Sequence, residues 1–296
     1  MPTNAQDVAK YLEFSLLQLG AESYLHDKNF ANQGDVVTAW KFGFNDASHE
    51  FIQRQAGAAG ADADRLPGYN RMVERQAVAM FNAYEVIDHH ANDSTGFSAT
   101  LYRHRTSGEY TLSMRSTEAR PWGVAGDAER DNEGANKSGI YERGFAFAQL
   151  ASMNDYWSHI RAGQAWNRSS GTWETQSSGK LADFRTYMDQ RSAEGAASAK
   201  KFNVTGYSLA GHLATAFTLM HEPDVSQAYT FNGAGHGVLR SGDTTGATIA
   251  QMLQTFATVL RNPAQVTNEM LRTALGLSEV INGSRVANFP RSLARH

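Results

Sequence analysis

The stretch Val204-Thr205-Gly206-Tyr207-Ser208-Leu209-Ala210-Gly211-His212 decides how this chain reads. Before it, Lys201–Gly206 reads as a short strand whose apolar residues are Phe202 and Val204. After it, Leu209–Met220 is apolar over a helical length, and Ser226–Phe231 reads as a second strand. A strand–helix–strand unit of this size implies parallel pairing through a right-handed crossover. At its first junction stands Ser208, with small residues two places to either side, Gly206 and Ala210. A nucleophilic serine needs this context. A sharp, strained turn lifts the side chain above the sheet edge, and small flanking residues let strand and helix approach. The usual pattern is G-x-S-x-G. Here Ala210 takes the last place, and Gly211 follows at once. The helix N-terminus behind the serine offers the N–H of Leu209 to a developing oxyanion.

Working outward, Phe97, Ala99 and Leu101 alternate with polar residues, as do Tyr110, Leu112 and Met114. Arg105-Thr106-Ser107-Gly108 lies between them, so the pair reads as a β-hairpin. Phe145–Ile160 reads as a helix, Gly163–Gly179 as a Gly/Ser/Trp loop, and the segment up to about Lys200 as a polar helix. No sheet signal is read before residue 96. Residues 7–19 carry Val8, Leu12, Leu16 and Leu19 at helical spacing, and Asp35 is placed to cap a helix bearing Val36, Trp40 and Phe44. Met72–Ile87 also reads as helix, with Val73, Ala77, Met80, Phe81 and Tyr84 on one face. Residues 1–95 are thus expected to form a helical cap, and 96–296 the main domain. Beyond the second strand, Thr248–Leu260 and Ala264–Leu275 read as helices forming a lid or ordinary core. Arg285–Phe289 reads as a last strand, so the C-terminal strands are expected to be incomplete.

The hairpin ends in Met114-Arg115-Ser116-Thr117-Glu118. With this segment the chain resembles the class 3, or fungal-type, lipases, and especially the lipase-type domains of large bacterial proteins. That family carries Arg-Gly-Ser/Thr at a strand end, where Thr117 matches the hydroxyl position and Ser116 replaces the glycine. Gly144-Phe145 opening a helix, the Ser208 turn and Tyr229-Thr230-Phe231-Asn232 match in order and rough spacing, over about residues 80–240. The resemblance implies an α/β-hydrolase-like, mostly parallel sheet flanked by helices, with a helical N-terminal extension. It also implies a serine hydrolase cleaving carboxylic esters, with Thr117 completing the oxyanion hole beside the Leu209 N–H.

Acyl transfer also needs a base held by a carboxylate. In this family an Asp and then a His follow the nucleophile. Downstream of Ser208 stand Asp224, Asp243, His212, His221, His236 and His296, none at a convincing family position. Three explanations stand open. The chain is the front of a longer lipase whose Asp and His lie beyond residue 296, or it has lost activity, or it completes the triad unusually with His236 and Asp243. His236 lies in Gly233-Ala234-Gly235-His236-Gly237, a loop expected to border the site, and is the candidate base.

Composition narrows the alternatives. With 27 basic and 30 acidic residues the net charge is −3, which excludes a strongly basic nucleic-acid binder. The absence of cysteine excludes disulfides, thiolate metal sites and a Cys nucleophile. Hydrophobic content of 41% over 296 residues is that of a folded globular chain. There is no H-E-x-x-H, no P-loop lysine and no G-x-G-x-x-G, so neither metal nor nucleotide is expected and no cofactor is needed. Apolar runs such as Leu213–Met220 are too short to cross a bilayer, and the first residues do not read as a signal peptide. The expected location is cytoplasmic, or outside the cell by a route that reads no such signal. The expected partner is a lipid or other ester, with a lipid surface as a further candidate. The rival reading is an inactive lipase-like module that binds a lipid, a glycan or a protein.

Overall fold

The computed structural model describes residues 4–23, 25, 28–42, 72–116, 135, 140, 145–167, 169–194, 202–235 and 253. Its centre is a five-stranded sheet built from β1 (Tyr84–His90), β2 (Ala99–His104), β3 (Tyr110–Met114), β6 (Phe202–Tyr207) and β7 (Val225–Phe231), in the order β1-β2-β3-β6-β7. β1–β2 and β2–β3 are antiparallel, whereas β3–β6 and β6–β7 are parallel. The sheet is therefore mixed, and the mostly parallel sheet expected from the sequence is corrected. The cause is connection length. The first three strands are joined by short links, which allow only antiparallel return, while the path from β3 to β6 passes through two helices.

Helices α1 (Asn4–Ala21), α2 (Gln33–Phe42) and α3 (Glu74–Ala83) belong with one core, and α4 (Phe147–Arg161), α5 (Lys180–Glu194) and α6 (Leu209–Met220) with the other. Strand alternation feeds both. Ala99 and Leu101 face the α4–α6 core, and Tyr102 faces the α1–α3 core. In the α4–α6 core Trp157 stacks on Phe202 (centroids 4.9 Å apart) and meets Phe217 edge-on at 5.3 Å. Such pairs contribute about 0.5–1.5 kcal/mol each beyond burial. Leu253, from the segment read as lid or core, is buried here too.

The opposite face of the central strands is small and polar, with Thr111, Ser113, Asn203 and Thr205 all buried. Small residues let α1 lie close, and the Ser113 hydroxyl reaches the Leu17 carbonyl (3.3 Å) and Gln18 Oε1 (3.2 Å). The buried stripe of α1 is Phe14, Leu17, Gln18 and Ala21. Val8 and Leu12, expected on the packed face, are exposed. Two adjacent stripes of this helix are apolar, and only the partner surface chooses between them.

Three local readings change. Tyr84–His90 is a strand, so the helix expected over Met72–Ile87 ends at Ala83, and sheet begins before residue 96. A register shift between Val86 and Asp88 breaks the alternation that would have signalled it. The expected loop at 163–179 contains a hairpin, β4 (Gln164–Asn167) and β5 (Thr172–Thr175), pairing Trp166 with Trp173. None of its strand residues is fully buried, so no apolar face marks them. The second helix starts at Gln33, with Asn32 Oδ1 accepting the Gly34 N–H (2.9 Å) as its cap and Asp35 in the first turn. Two Gly-containing stretches also read as loops, Ala56–Asn70 and Pro121–Ile140; they lie outside the described residues apart from Ala135 and Ile140, as do Phe44, the last strand, and the helices of 248–275 apart from Leu253.

Candidate functional site: the Ser208 turn

Ser208 occupies φ 52°, ψ −120° at the junction of β6 and α6. That is left-handed territory which L-residues adopt only under constraint, at a cost of about 1–3 kcal/mol. The constraint is visible on both sides. The Ser208 N–H donates to the Phe231 carbonyl of β7 (3.0 Å). The Ser208 carbonyl accepts from Gly211 (3.0 Å), His212 (3.3 Å) and Ala234 (2.9 Å). Gly206 is required, because a Cβ there would collide with the Ala210 backbone. Gly211 answers a different need: its Cβ would come within 2.6 Å of the Gly233 Cα. Gly206 thus presses on Ala210, and Gly211 on Gly233. Leu209 is the first residue of α6, so its N–H has no acceptor within the helix.

β3 brings the second element. Thr111, Leu112 and Ser113 pair with Asn203, Val204 and Thr205. The ladder ends at Ser113↔Thr205, three residues before Ser116 on one strand and three before Ser208 on the other. Thr117, expected in the oxyanion hole, follows Ser116 and lies outside the described residues, as do His236 and Asp243.

His212 sits one turn into α6 and is buried. Its Nε2 lies 3.3 Å from the Ala146 N–H and its Nδ1 3.2 Å from the Gly235 carbonyl. Those partners fix a neutral ring with the proton on Nδ1, which ties the start of α4 and the loop after β7 beneath the turn. Gly235 is the residue immediately before His236.

On the α1 side a cavity of about 330 Å³ lies between Ser15, Gln18, Leu19 and Glu22 of the N-terminal segment and Tyr207 and Phe231, the two residues flanking the serine backbone. Glu22 is buried, and its Oε1 accepts from the Ser116 N–H (2.9 Å) and Gln18 Nε2 (2.6 Å). The sequence reading missed Gln18 and Glu22. Their spacing of four on a helix was visible, but their partner lies 94 residues away.

Of the residues expected from the sequence, Gly206, Ser208, Leu209, Ala210 and Gly211 therefore form one turn. Among the described residues no cluster of three His, Asp or Glu side chains could hold a metal ion. No described helix is long and apolar enough to cross a membrane. No protein-family model, no curated protein and no solved structure matches this chain.

Proposed function

We propose that this chain is a serine hydrolase that cleaves carboxylic esters, lipid esters foremost, through an acyl-enzyme on Ser208, in the manner of the class 3 lipases it resembles. The observation that carries the reading is the Ser208 backbone, held at φ 52° between a strand and a helix start. Strain of this kind is retained where it presents a reacting atom.

In the proposed reaction Ser208 Oγ attacks the ester carbonyl carbon while a base takes the hydroxyl proton. The negative charge on the carbonyl oxygen meets the Leu209 N–H and the Thr117 hydroxyl. The carbon–oxygen bond to the alcohol then breaks, and the alcohol leaves with the proton. Water attacks the acyl-Ser208 with the same base, and the carboxylic acid departs. His236, one residue beyond the Gly235 carbonyl that His212 holds, is the candidate base, with Asp243 as its candidate carboxylate. His212 is unsuited to that role, because both ring nitrogens already have backbone partners. The cavity beside Tyr207 and Phe231 offers room for the acyl group.

A fluorophosphonate probe tests this, since only an activated serine reacts with it quickly. The wild-type chain is expected to label and Ser208→Ala to stay unlabelled. A folded wild type that never labels would instead favour a binding module without a working base.

A further inference from the structure

The N-terminal helix is the part of the molecule that the lipase resemblance leaves unexplained, yet it walls the cavity beside the Ser208 turn. Strand alternation puts Tyr207 on the face of β6 that carries Asn203 and Thr205, the face that α1 covers. Phe231 is its neighbour on β7, and the two form the last pair of the β6–β7 ladder. Ser208 follows Tyr207 directly, and its N–H donates to the Phe231 carbonyl (3.0 Å). The cavity of about 330 Å³ lies between that pair and the N-terminal segment. Three of the four N-terminal residues that line it have their polar groups bound to the protein itself. Ser15 Oγ donates to the Leu12 carbonyl (2.7 Å). Gln18 Oε1 accepts from the Ser113 hydroxyl (3.2 Å), and Gln18 Nε2 donates to Glu22 Oε1 (2.6 Å), which also accepts the Ser116 N–H (2.9 Å). The fourth is Leu19, the one apolar side chain that α1 adds to the described walls. With Tyr207 and Phe231 it makes a lining suited to an alkyl chain, which binds by leaving water and asks for no hydrogen bond. The volume stands at the small end of the roughly 300–1,000 Å³ usual for small-molecule sites, so it suits a short or medium chain better than a long one. Tyr207 and Phe231 belong to the strands that hold Ser208. Leu19 belongs to a helix that makes no part of the turn, so its size is free to set the depth of the cavity.

We propose that this cavity holds the acyl chain of the ester and that Leu19 determines how long that chain is, which makes short- and medium-chain esters the preferred substrates. The proposal rests on the serine-hydrolase reading for its catalytic half. Its binding half, an alkyl chain in the cavity with Leu19 as a wall, stands on the cavity alone. Leu19 touches no reacting atom. It acts on chain length through packing, where each methylene that finds room is worth about fourfold in affinity.

Three variants of the full chain test it. Leu19→Ala deepens the cavity. Leu19→Trp fills it. Leu12→Ala, on the same helix but exposed and outside the walls, is the control. Two quantities are read. One is kcat/KM on p-nitrophenyl esters of increasing acyl length. The other is calorimetric binding of 1-alkanols from butanol to decanol, with each variant placed in a Ser208→Ala chain that cannot form an acyl-enzyme. Both are expected to rise about fourfold per methylene up to a limiting length and then to level or fall. Leu19→Ala should move that limit up by about two or three methylenes, and Leu19→Trp should move it down. Leu12→Ala should keep the wild-type limit and label normally with the fluorophosphonate. If Leu19→Trp fails to fold, Leu19→Ala decides by itself. A limit that stays in place in Leu19→Ala, or that moves equally in Leu12→Ala, overturns the proposal. A wild type that neither labels nor hydrolyses any ester overturns the hydrolase reading and the catalytic half with it, while the alkanol series still decides whether Leu19 walls an alkyl site.

Discussion

Ser208 carries a conformational cost that nothing in its own side chain offsets. Its φ of 52° suits glycine, and the surrounding hydrogen bonds from β7 and α6 impose it. Replacing Ser208 by Gly should relieve this strain, and replacing it by Ala should not. Ser208→Gly is therefore expected to be more stable than Ser208→Ala by about 1 kcal/mol in urea unfolding. Equal stabilities would mean that the turn is relaxed and the strain reading is wrong. The neighbouring glycines follow the same physics from the steric side. Gly206 and Gly211 are each needed because a second backbone occupies the space of their missing Cβ. The serine, its glycines and the Leu209 amide were legible in the sequence, because all belong to one continuous turn. Glu22 was not, because its significance lies in a contact with Ser116 across the sheet.

At the scale of elements, the link between β1 and β2 is organised by one carboxylate. Asp93 accepts from the Thr95 N–H (2.8 Å), the Thr95 hydroxyl (2.6 Å) and the Phe97 N–H (3.2 Å), and also holds His90 and the Ser152 hydroxyl of α4. Burial alone would push its carboxyl up. The hydrogen bonds from His90, Ser152 and Thr95 outweigh that and hold it below the ordinary aspartate range. A depressed folded value means that the stabilisation is complete above the unfolded value, about 3.9, and is lost as pH falls through the lower folded one. Urea midpoints should therefore fall in acid over that window, and Asp93→Asn should flatten the drop. At neutral pH Asp93→Ala should cost about 1–3 kcal/mol. An acid limb identical in wild type and Asp93→Asn would show that Asp93 is not its source. This link, with its Asp-Ser-Thr-Gly composition, is also what turns β1 back as an antiparallel neighbour of β2. The bulge at Val86/Asp88 kept β1 from being read as a strand, whereas the unbroken alternation of β2 and β3 exposed them directly.

For the molecule as a whole, the mixed sheet is the shared wall of two cores. Trp40 and Tyr102 lie in one, with ring centroids 6.4 Å apart. Trp157, Phe202 and Phe217 lie in the other. Because β2 sends alternate side chains into both, loss of one core should undermine the other. Trp40→Ala and Phe217→Ala are each expected to cost about 3–5 kcal/mol. Each should still unfold in a single transition, seen alike by far-UV and near-UV circular dichroism. Separate transitions in Trp40→Ala would mean that the N-terminal helices form a unit of their own.

Local information was enough for the helix and strands around Ser208, for the β2–β3 hairpin and for the strained turn, because periodicity and small-residue spacing act over a few neighbours. Tertiary structure alone decided three things. It set the mixed pairing of the sheet, which depends on how the strands are connected. It chose which of two apolar stripes of α1 is buried, which depends on the small polar face that α1 meets. It also brought Glu22 to the Ser116 amide just past β3. Each is a relation between residues distant in the chain, and the free energy of such contacts appears only once the chain has closed the loops between them.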